Sequence, residues 1–206
     1  MNKEHTKDRL LIVGASGHGK VVADIAKLVG YREILFFDDN EQIANCGKYP
    51  VTGNTDKAIE IAGDIFIAVG NATIRKRIMS KFSERSIPVL CHPNAVIAED
   101  VTIEKGTVIM PGVVINSGTQ IGRGCIVNTC ASVDHDCSID EFCHIAVGAH
   151  LCGTVNVGKN TWIGAGSIVS NNIDICDDCM IGAGAVVINN IVTKGTYVGV
   201  PAKKIG

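Results

Sequence analysis

Aromatic residues make up only 4% of this 206-residue chain, which leaves little to stack against nucleic-acid bases. A surplus of charge is missing too: a formal net charge of -2 provides no field suited to nucleic acid or to an anionic membrane. No apolar run approaches the roughly eighteen residues of a membrane span. The opening MNKEHTKDR lacks the apolar core that a secretory leader needs. Nine cysteines, an odd number without the tight clustering of a disulfide scaffold, fit a reducing compartment, and the expected location is the cytoplasm. What is present, at 46% hydrophobic, suffices to bury a core in one or two domains, with neither nucleic acid nor membrane as a partner.

The second half of the chain is repetitive. From Ala95 to Thr196 it divides into seventeen unbroken blocks of six, and the third residue of a block is Ile, Val or Leu in sixteen of them. The first residue is always small or β-branched, and the sixth is Gly, Asn or Asp in thirteen. Positions one and three are predicted to point inward, position two outward, and positions four to six to turn a corner. Neither a 3.6-residue helix nor a hairpin series explains a sustained period of six, whereas a solenoid of short parallel strands does. Three blocks then make one triangular coil, so residues eighteen apart stack at roughly 4.8 Å. On this reading TWIGAG (161–166) and CMIGAG (179–184) lie one above the other.

The first ninety residues follow a different pattern. RLLIVG reads as a buried strand, ASGHG as a glycine turn and Lys20 to Val29 as a helix; EILFFDD is the next strand. TDKAIEIAG reads as a helix with a Thr cap, DIFIAVG as a strand and NATIRKRIMSKF as a helix opened by Asn71. Strands alternating with helices imply a small parallel sheet of Rossmann-like topology. The period switches near PVLCHPNAV, which puts the domains at 1–91 and 92–206. The glycine motif is G-x-x-G-x-G and not the dinucleotide G-x-G-x-x-G, which argues against a nicotinamide cofactor. Gly14, Ser16, Gly17 and His18, with Gly19, still form a turn whose amides at a helix N-terminus suit a phosphate, although a bare strand-to-helix connection uses the same residues. Beyond the carboxyl ends of the strands, where open α/β sheets hold ligands, Asp38, Asp39, Gly70 and Asn71 join that turn as substrate-binding candidates for uracil, ribose or sugar hydroxyls.

The hexads resemble those of the hexapeptide-repeat acyltransferases, whose fold is the left-handed parallel β-helix. The order GASGHG, DD, GN with Arg75, HPNA and then the hexads is similar, over essentially the whole chain, to the bacterial family of sialic acid O-acetyltransferases and UDP-amino-sugar N-acetyltransferases (NeuD/PglD-like). The resemblance implies an α/β nucleotide-sugar domain followed by an all-β helix that holds acetyl-CoA, in a homotrimer with sites between neighbours. It also places a catalytic histidine and its acid at His135 and Asp136, and a second functional histidine at His144. The family commonly has Glu after the first histidine; with the shorter Asp here, either Asp136 or Asp134 could orient the ring.

Register adds further candidates. Gly153 is eighteen residues beyond His135 at the same corner, so its amide is a candidate oxyanion donor. His144, at position two of a different face, cannot meet His135 within one helix, which again argues for a composite, trimeric site. Asn128, Ala146, Gly164 and Gly182 form a column nearly free of side chains, with Ala165 and Ala183 beside it, against which pantetheine could extend; glycine at a tight corner needs no ligand, however. In the tail YVGVPAKKI, Lys203 or Lys204 could meet the CoA phosphates, or simply be solvated. No metal is expected: Cys176 and Cys179 lack a second pair, and His144 and His150 sit on adjacent faces pointing apart. The expected function is acetyl-CoA-dependent N-acetylation of a UDP-linked amino sugar, of the 4-amino-4,6-dideoxy type. O-acetylation of a sialic acid, and a nonenzymatic β-helix that only binds nucleotide sugars, are the alternatives.

Overall fold

The computed structural model describes residues 7–205; most of the polar opening read above, residues 1–6, lies outside that range. The described chain forms two compact units that divide between Leu90 and Cys91.

The first unit is built on a five-stranded sheet. Its elements are β1 (Arg9–Val13), α1 (Gly17–Leu28), β2 (Glu33–Phe37), β3 (Asn45–Cys46), β4 (Tyr49–Gly53), α2 (Thr55–Glu60), β5 (Asp64–Ile67) and α3 (Ala72–Ser80). The order across the sheet is β3-β4-β2-β1-β5, with only the β3/β4 pair antiparallel. Leu10, Leu11, Ile12 and Val13 are all buried because both faces of a central parallel strand are covered. The chain runs outward from β1 to β2 and β4, then crosses back to add β5 on the other side of β1. That reversal leaves a crevice at the carboxyl ends of β1 and β5.

Two helix starts differ from expectation. Helix α1 begins at Gly17, three residues before Lys20, because Ser16 is extended and its successors are already helical. Helix α2 is capped by Asn54, whose side chain accepts from the Lys57 amide, while Thr55 is inside the first turn and buried. Asn71 caps α3 as expected, accepting from the Ile74 amide at 3.0 Å. The glycines of the turn do different jobs. Gly14 has φ +112, and a Cβ there would sit 2.6 Å from the Ala68 carbonyl oxygen. A Cβ on Gly19 would run into the Gly14 carbonyl, so Gly19 is set by close helix–strand packing. A Cβ on Gly17 would meet nothing within 4 Å.

The second unit is a parallel β-helix whose strands stack at intervals of eighteen residues. One face runs through Val96–Ile97, Val114–Ile115, Ser132–Val133, His150–Leu151, Ile168–Val169 and Val186–Val187. A second contains Thr102, Gln120, Ser138, Asn156 and Asp174 at position two. The third contains Val108, Ile126, His144, Trp162 and Met180 there. The expected register is the observed one: TWIGAG and CMIGAG are adjacent coils, paired Trp162 to Met180 and Ile163 to Ile181. The tail adds Gly195–Val198 parallel to Cys179–Ile181 and folds Lys203–Ile205 back onto it.

Position one explains much of the cysteine content. Thr107, Thr119, Thr161, Cys125, Cys137 and Cys143 are all buried at this position. Each donates to a carbonyl fifteen residues on: Thr107 to Gly122 at 2.8 Å, Thr119 to Asp134 at 2.7 Å, Cys125 to Asp140 at 3.1 Å and Cys143 to Gly158 at 3.1 Å. Thr107 and Thr119 also accept from the amides of Cys125 and Cys137, one coil above. A hydroxyl or thiol therefore satisfies buried backbone groups that aliphatic side chains would leave unpaired. All nine cysteines are free thiols.

Position six is in the left-handed conformation throughout the central coils. Seven glycines from Gly106 to Gly184 adopt it, and so do Cys130, Asp136, Phe142, Thr154, Asn160, Asn172 and Asp178. The corner geometry is imposed by coil closure even where the residue type opposes it. Among the described residues no helix is long and apolar enough to cross a membrane.

Candidate active site

Sequence-distant groups converge on the crevice of the first unit. A cavity of about 380 Å³ is lined by Gly14, Ser16, Asp38, Asp39, Gly70 and others. Asp38 accepts from the Ala15 amide at 2.7 Å, bracing the glycine turn, and from the Asn40 amide at 2.9 Å. Asp39 accepts from the Thr55 amide at 2.8 Å, and this bond holds its carboxyl below the usual carboxylate range. Both acids thus have backbone partners, yet each remains on the cavity wall. Gly17, His18 and Asn71 do not line it. Burial, followed by the nearby Arg75, pushes the His18 pKa down to about 4, so the ring is neutral at pH 7. Arg75 is itself buried, donating to the Val69 and Gly70 carbonyls at 2.8 and 2.7 Å. Arg77, by contrast, lines the cavity with Ile74 and Ile78, as the i, i+3, i+4 pattern of α3 requires.

In the β-helix, His135 and Asp136 occupy the corner after Ser132–Val133. The His135 Nδ1 lies 2.8 Å from the Asp136 carboxylate. A carboxylate only accepts, so Nδ1 carries the proton and Nε2 presents a lone pair. Hydrogen bonding to Asp136, reinforced by the charge of Asp134, raises the His135 pKa. Asp134 Oδ1 is taken up elsewhere, by the Asn116 side chain at 2.7 Å and the His135 amide at 2.8 Å. Asp136 is therefore the residue on the ring, although it is shorter than Glu. Its φ of 56 is the left-handed conformation shared by position six of the central coils. Gly153, from the next coil, lies against the same ring: a Cβ there would be 2.6 Å from His135 Nε2.

His144 is in a different setting. Position two was expected to face outward, but His144 is only 9% exposed. Trp162 from the next coil packs against it with ring centroids 4.2 Å apart and ring planes tilted by 45°, and Asn128 Nδ2 is 3.1 Å from its Nε2. Of the acetyl-CoA candidates, Asn128 and His144 are thus in contact. The glycine column next to them is tightly packed. A Cβ on Gly164 would come 2.6 Å from the Gly182 carbonyl carbon, and the Gly182 amide donates to the Tyr197 carbonyl at 2.8 Å. Ala165, Ala183 and Lys203 are exposed. Among the described residues no group of three or more His, Cys, Asp or Glu side chains is placed to hold a metal ion.

Sequence reasoning missed Trp162, Asn116, Thr55 and Arg77. The eighteen-residue register pairs Trp162 with His144 and Asn116 with Asp134, so both were within reach of the pattern already found. Thr55 and Arg77 depended on the sheet crossing, which carries no local signal.

A glycine turn at a sheet crevice, joined to a β-helix with a His–Asp corner, defines a hexapeptide-repeat transferase with an α/β N-terminal domain. The family model for the PglD N-terminal domain matches residues 9–82, and that for the bacterial transferase hexapeptide (six repeats) matches 154–189. The acetyltransferase domain of PglB from Neisseria gonorrhoeae FA1090, solved in complex with acetyl coenzyme A, is 38% identical with a TM-score of 0.92, covering 96% of this chain and 98% of that one. PerB from Caulobacter crescentus, in complex with CoA and GDP-perosamine, is 32% identical with a TM-score of 0.89, over 96% and 97%. UDP-N-acetylbacillosamine N-acetyltransferase of Bacillus subtilis (strain 168) is 34% identical over 107 residues, 48% of this chain and 50% of that protein. The match thus spans about half the length of that curated relative. This chain belongs to the family of hexapeptide-repeat, left-handed β-helix acetyltransferases with a PglD-type N-terminal domain.

Proposed function

We propose that the protein transfers the acetyl group of acetyl-CoA to the amine of a nucleotide-linked amino sugar, of the UDP-linked 4-amino-4,6-dideoxy type. The observation that carries this reading is the His135–Asp136 pair at 2.8 Å against Gly153, in a chain that matches 98% of the PglB acetyltransferase domain solved with acetyl-CoA and 97% of the PerB chain solved with CoA and GDP-perosamine. The amine attacks the thioester carbonyl and its proton passes to His135 Nε2. The new imidazolium is stabilised by Asp136. The Gly153 amide and His144 steady the carbonyl oxygen as it becomes an oxyanion. The C–S bond then breaks, CoA leaves as the thiolate, and His135 returns the proton to it. Asn128, Gly164, Ala165, Gly182, Ala183 and Lys203 contribute the CoA groove. Gly14, Ser16, Gly17, His18, Asp38, Asp39, Gly70 and Asn71 form or brace the nucleotide-sugar site. The glycine-turn amides and Arg77 suit a pyrophosphate, which a free sialic acid lacks. Turnover of a panel of nucleotide amino sugars with acetyl-CoA tests the reading; acetylation of free sialic acid alone would overturn it.

The sign of the His135 shift sets a pH dependence. The base works only when neutral, and its pKa is raised, so kcat/KM is expected to fall as pH drops through a value above the ordinary 6.5 of histidine. Asp136→Asn removes the principal cause and should move this acid limb to lower pH, along with a lower kcat. An unmoved limb in the pH profile would remove Asp136 from the role.

The reading includes a homotrimer with sites between subunits. Its support is the contrast between faces: Val96 is 65% and Ile168 40% exposed at outward positions of the first face, whereas the second face carries Thr102, Gln120, Ser138, Asn156 and Asp174. The His135 corner borders the first face. Ile168→Glu is expected to weaken assembly by several kcal/mol, the cost of burying an unpaired charge, and to abolish activity with it. Light scattering that still reports the wild-type mass would reject this face as the interface.

A further inference from the structure

One motif of the chain has no part in acetyl transfer: the C-x-x-C of Cys176 and Cys179. The two side chains meet at the corner between the second and third faces of the β-helix, away from the first face. Their sulfurs lie 3.6 Å apart, in van der Waals contact. Cys179 is buried and Cys176 half-buried. Thr161, itself fully buried, holds both backbones: its hydroxyl accepts from the Cys179 amide at 3.1 Å and donates to the Cys176 carbonyl at 3.1 Å.

Cys179 departs from the other thiols at position one. Cys125, Cys137 and Cys143 each donate to a carbonyl fifteen residues on, at 3.1, 3.2 and 3.1 Å. For Cys179 the carbonyl across the coil, that of Thr193, is 4.0 Å away and already accepts from the Tyr197 hydroxyl at 2.7 Å. The thiol that elsewhere satisfies a backbone carbonyl here faces a second thiol. Burial, then the neighbouring Cys176, pushes the Cys179 pKa up to about 12. Cys179 is therefore protonated at pH 7, and a reagent from solvent meets the half-buried Cys176 first.

We propose that Cys176 and Cys179 form a redox-modification site, which takes a low-molecular-weight disulfide as oxidant and closes into an intramolecular disulfide. Cys176, as the thiolate, attacks one sulfur of the reagent; the reagent's S–S bond breaks and its first half leaves, taking up a proton to become a thiol. Cys179 then gives its proton to solvent and attacks the Cys176 sulfur. The mixed S–S bond breaks and the second half leaves in the same way. The protein gives up two electrons and two protons, and the reagent is reduced to two thiols.

The test incubates the full-length protein with excess hydroxyethyl disulfide, a neutral reagent suited to a site flanked by the exposed Asp177 and Asp178, followed by alkylation and peptide mapping by mass spectrometry. The peptide carrying both cysteines is expected to be about 2 Da lighter, to resist alkylation, and to regain two alkylatable thiols with dithiothreitol. Cys179→Ser blocks the second step, and position one accommodates serine, as the buried Ser167 shows. In that variant Cys176 should retain the mixed disulfide at least about tenfold more than in the wild type, because a neighbouring group attacks at high effective molarity. A wild-type Cys176 that stays alkylatable, or that carries the mixed disulfide equally with and without Cys179, would overturn the assignment. Neither result bears on the acetyl-transfer reading, since no turnover is measured.

Discussion

His135→Ala is expected to lower turnover by about 10²- to 10⁴-fold, the usual range for a positioned proton acceptor, with acetyl-CoA and acceptor affinities little changed. The ring is exposed and its contacts are to Asp136 and Gly153, so its loss opens no core cavity and fold stability should be near wild type. The defect belongs to one protonation step, and it should shrink at high pH, where the acceptor amine loses its proton to water. Steady-state kinetics with isothermal binding controls decide this. Near-normal turnover at neutral pH would show that another group accepts the proton. Mixed oligomers of His135→Ala and His144→Ala chains should recover part of the activity, since some interfaces would contain both intact residues.

The largest expected effect on stability lies in the glycine column. Gly164→Ala would place a methyl group against the Ile181 carbonyl oxygen and within 2.6 Å of the Gly182 carbonyl carbon. Both are backbone atoms of the next coil, so no side chain can swing aside, and the coils must part. We expect a loss of about 3 kcal/mol or more, at the upper end for overpacking, and a melting temperature lower by about 6 to 12 °C for a chain of this size. Gly166→Ala is the control. Its φ is +64, yet a Cβ would meet nothing within 4 Å, so the cost should be the conformational one alone, about 1 kcal/mol. Thermal unfolding of the two variants separates steric from conformational demand. Equal losses would mean that the column's glycines answer to backbone conformation and not to the coil above.

The contrast between these two glycines shows how far the hexad pattern could be read. The period of six identifies which residues stack, because an eighteen-residue coil brings Trp162 over His144 and Gly153 over His135 regardless of what the side chains are. It does not say why a residue is small. Gly164 is small for the coil above it and Gly166 for its own torsion, while Cys130, Phe142 and Thr154 hold the same torsion without being glycine. In the first unit, alternating strands and helices announced a parallel sheet, and Asn71 was legible as a cap because capping is a contact three residues long. Asn54 displaced Thr55 as the other cap, a competition between neighbours that propensity alone does not resolve.

Periodicity, glycine placement and turn chemistry are local or repeating properties, and through them the sequence by itself determined the two-unit architecture, the coil register and the His135 corner. Which carboxylate meets the ring was decided only by the tertiary structure: Asn116, from the coil below, draws Asp134 away and leaves Nδ1 to Asp136. The burial of His144 beneath Trp162 and the gathering of Asp38, Thr55, Gly70 and Arg77 around one cavity were decided in the same way. Each depends on partners up to 39 residues apart in the chain, and side-chain geometry across such separations is set by packing, which no local pattern encodes.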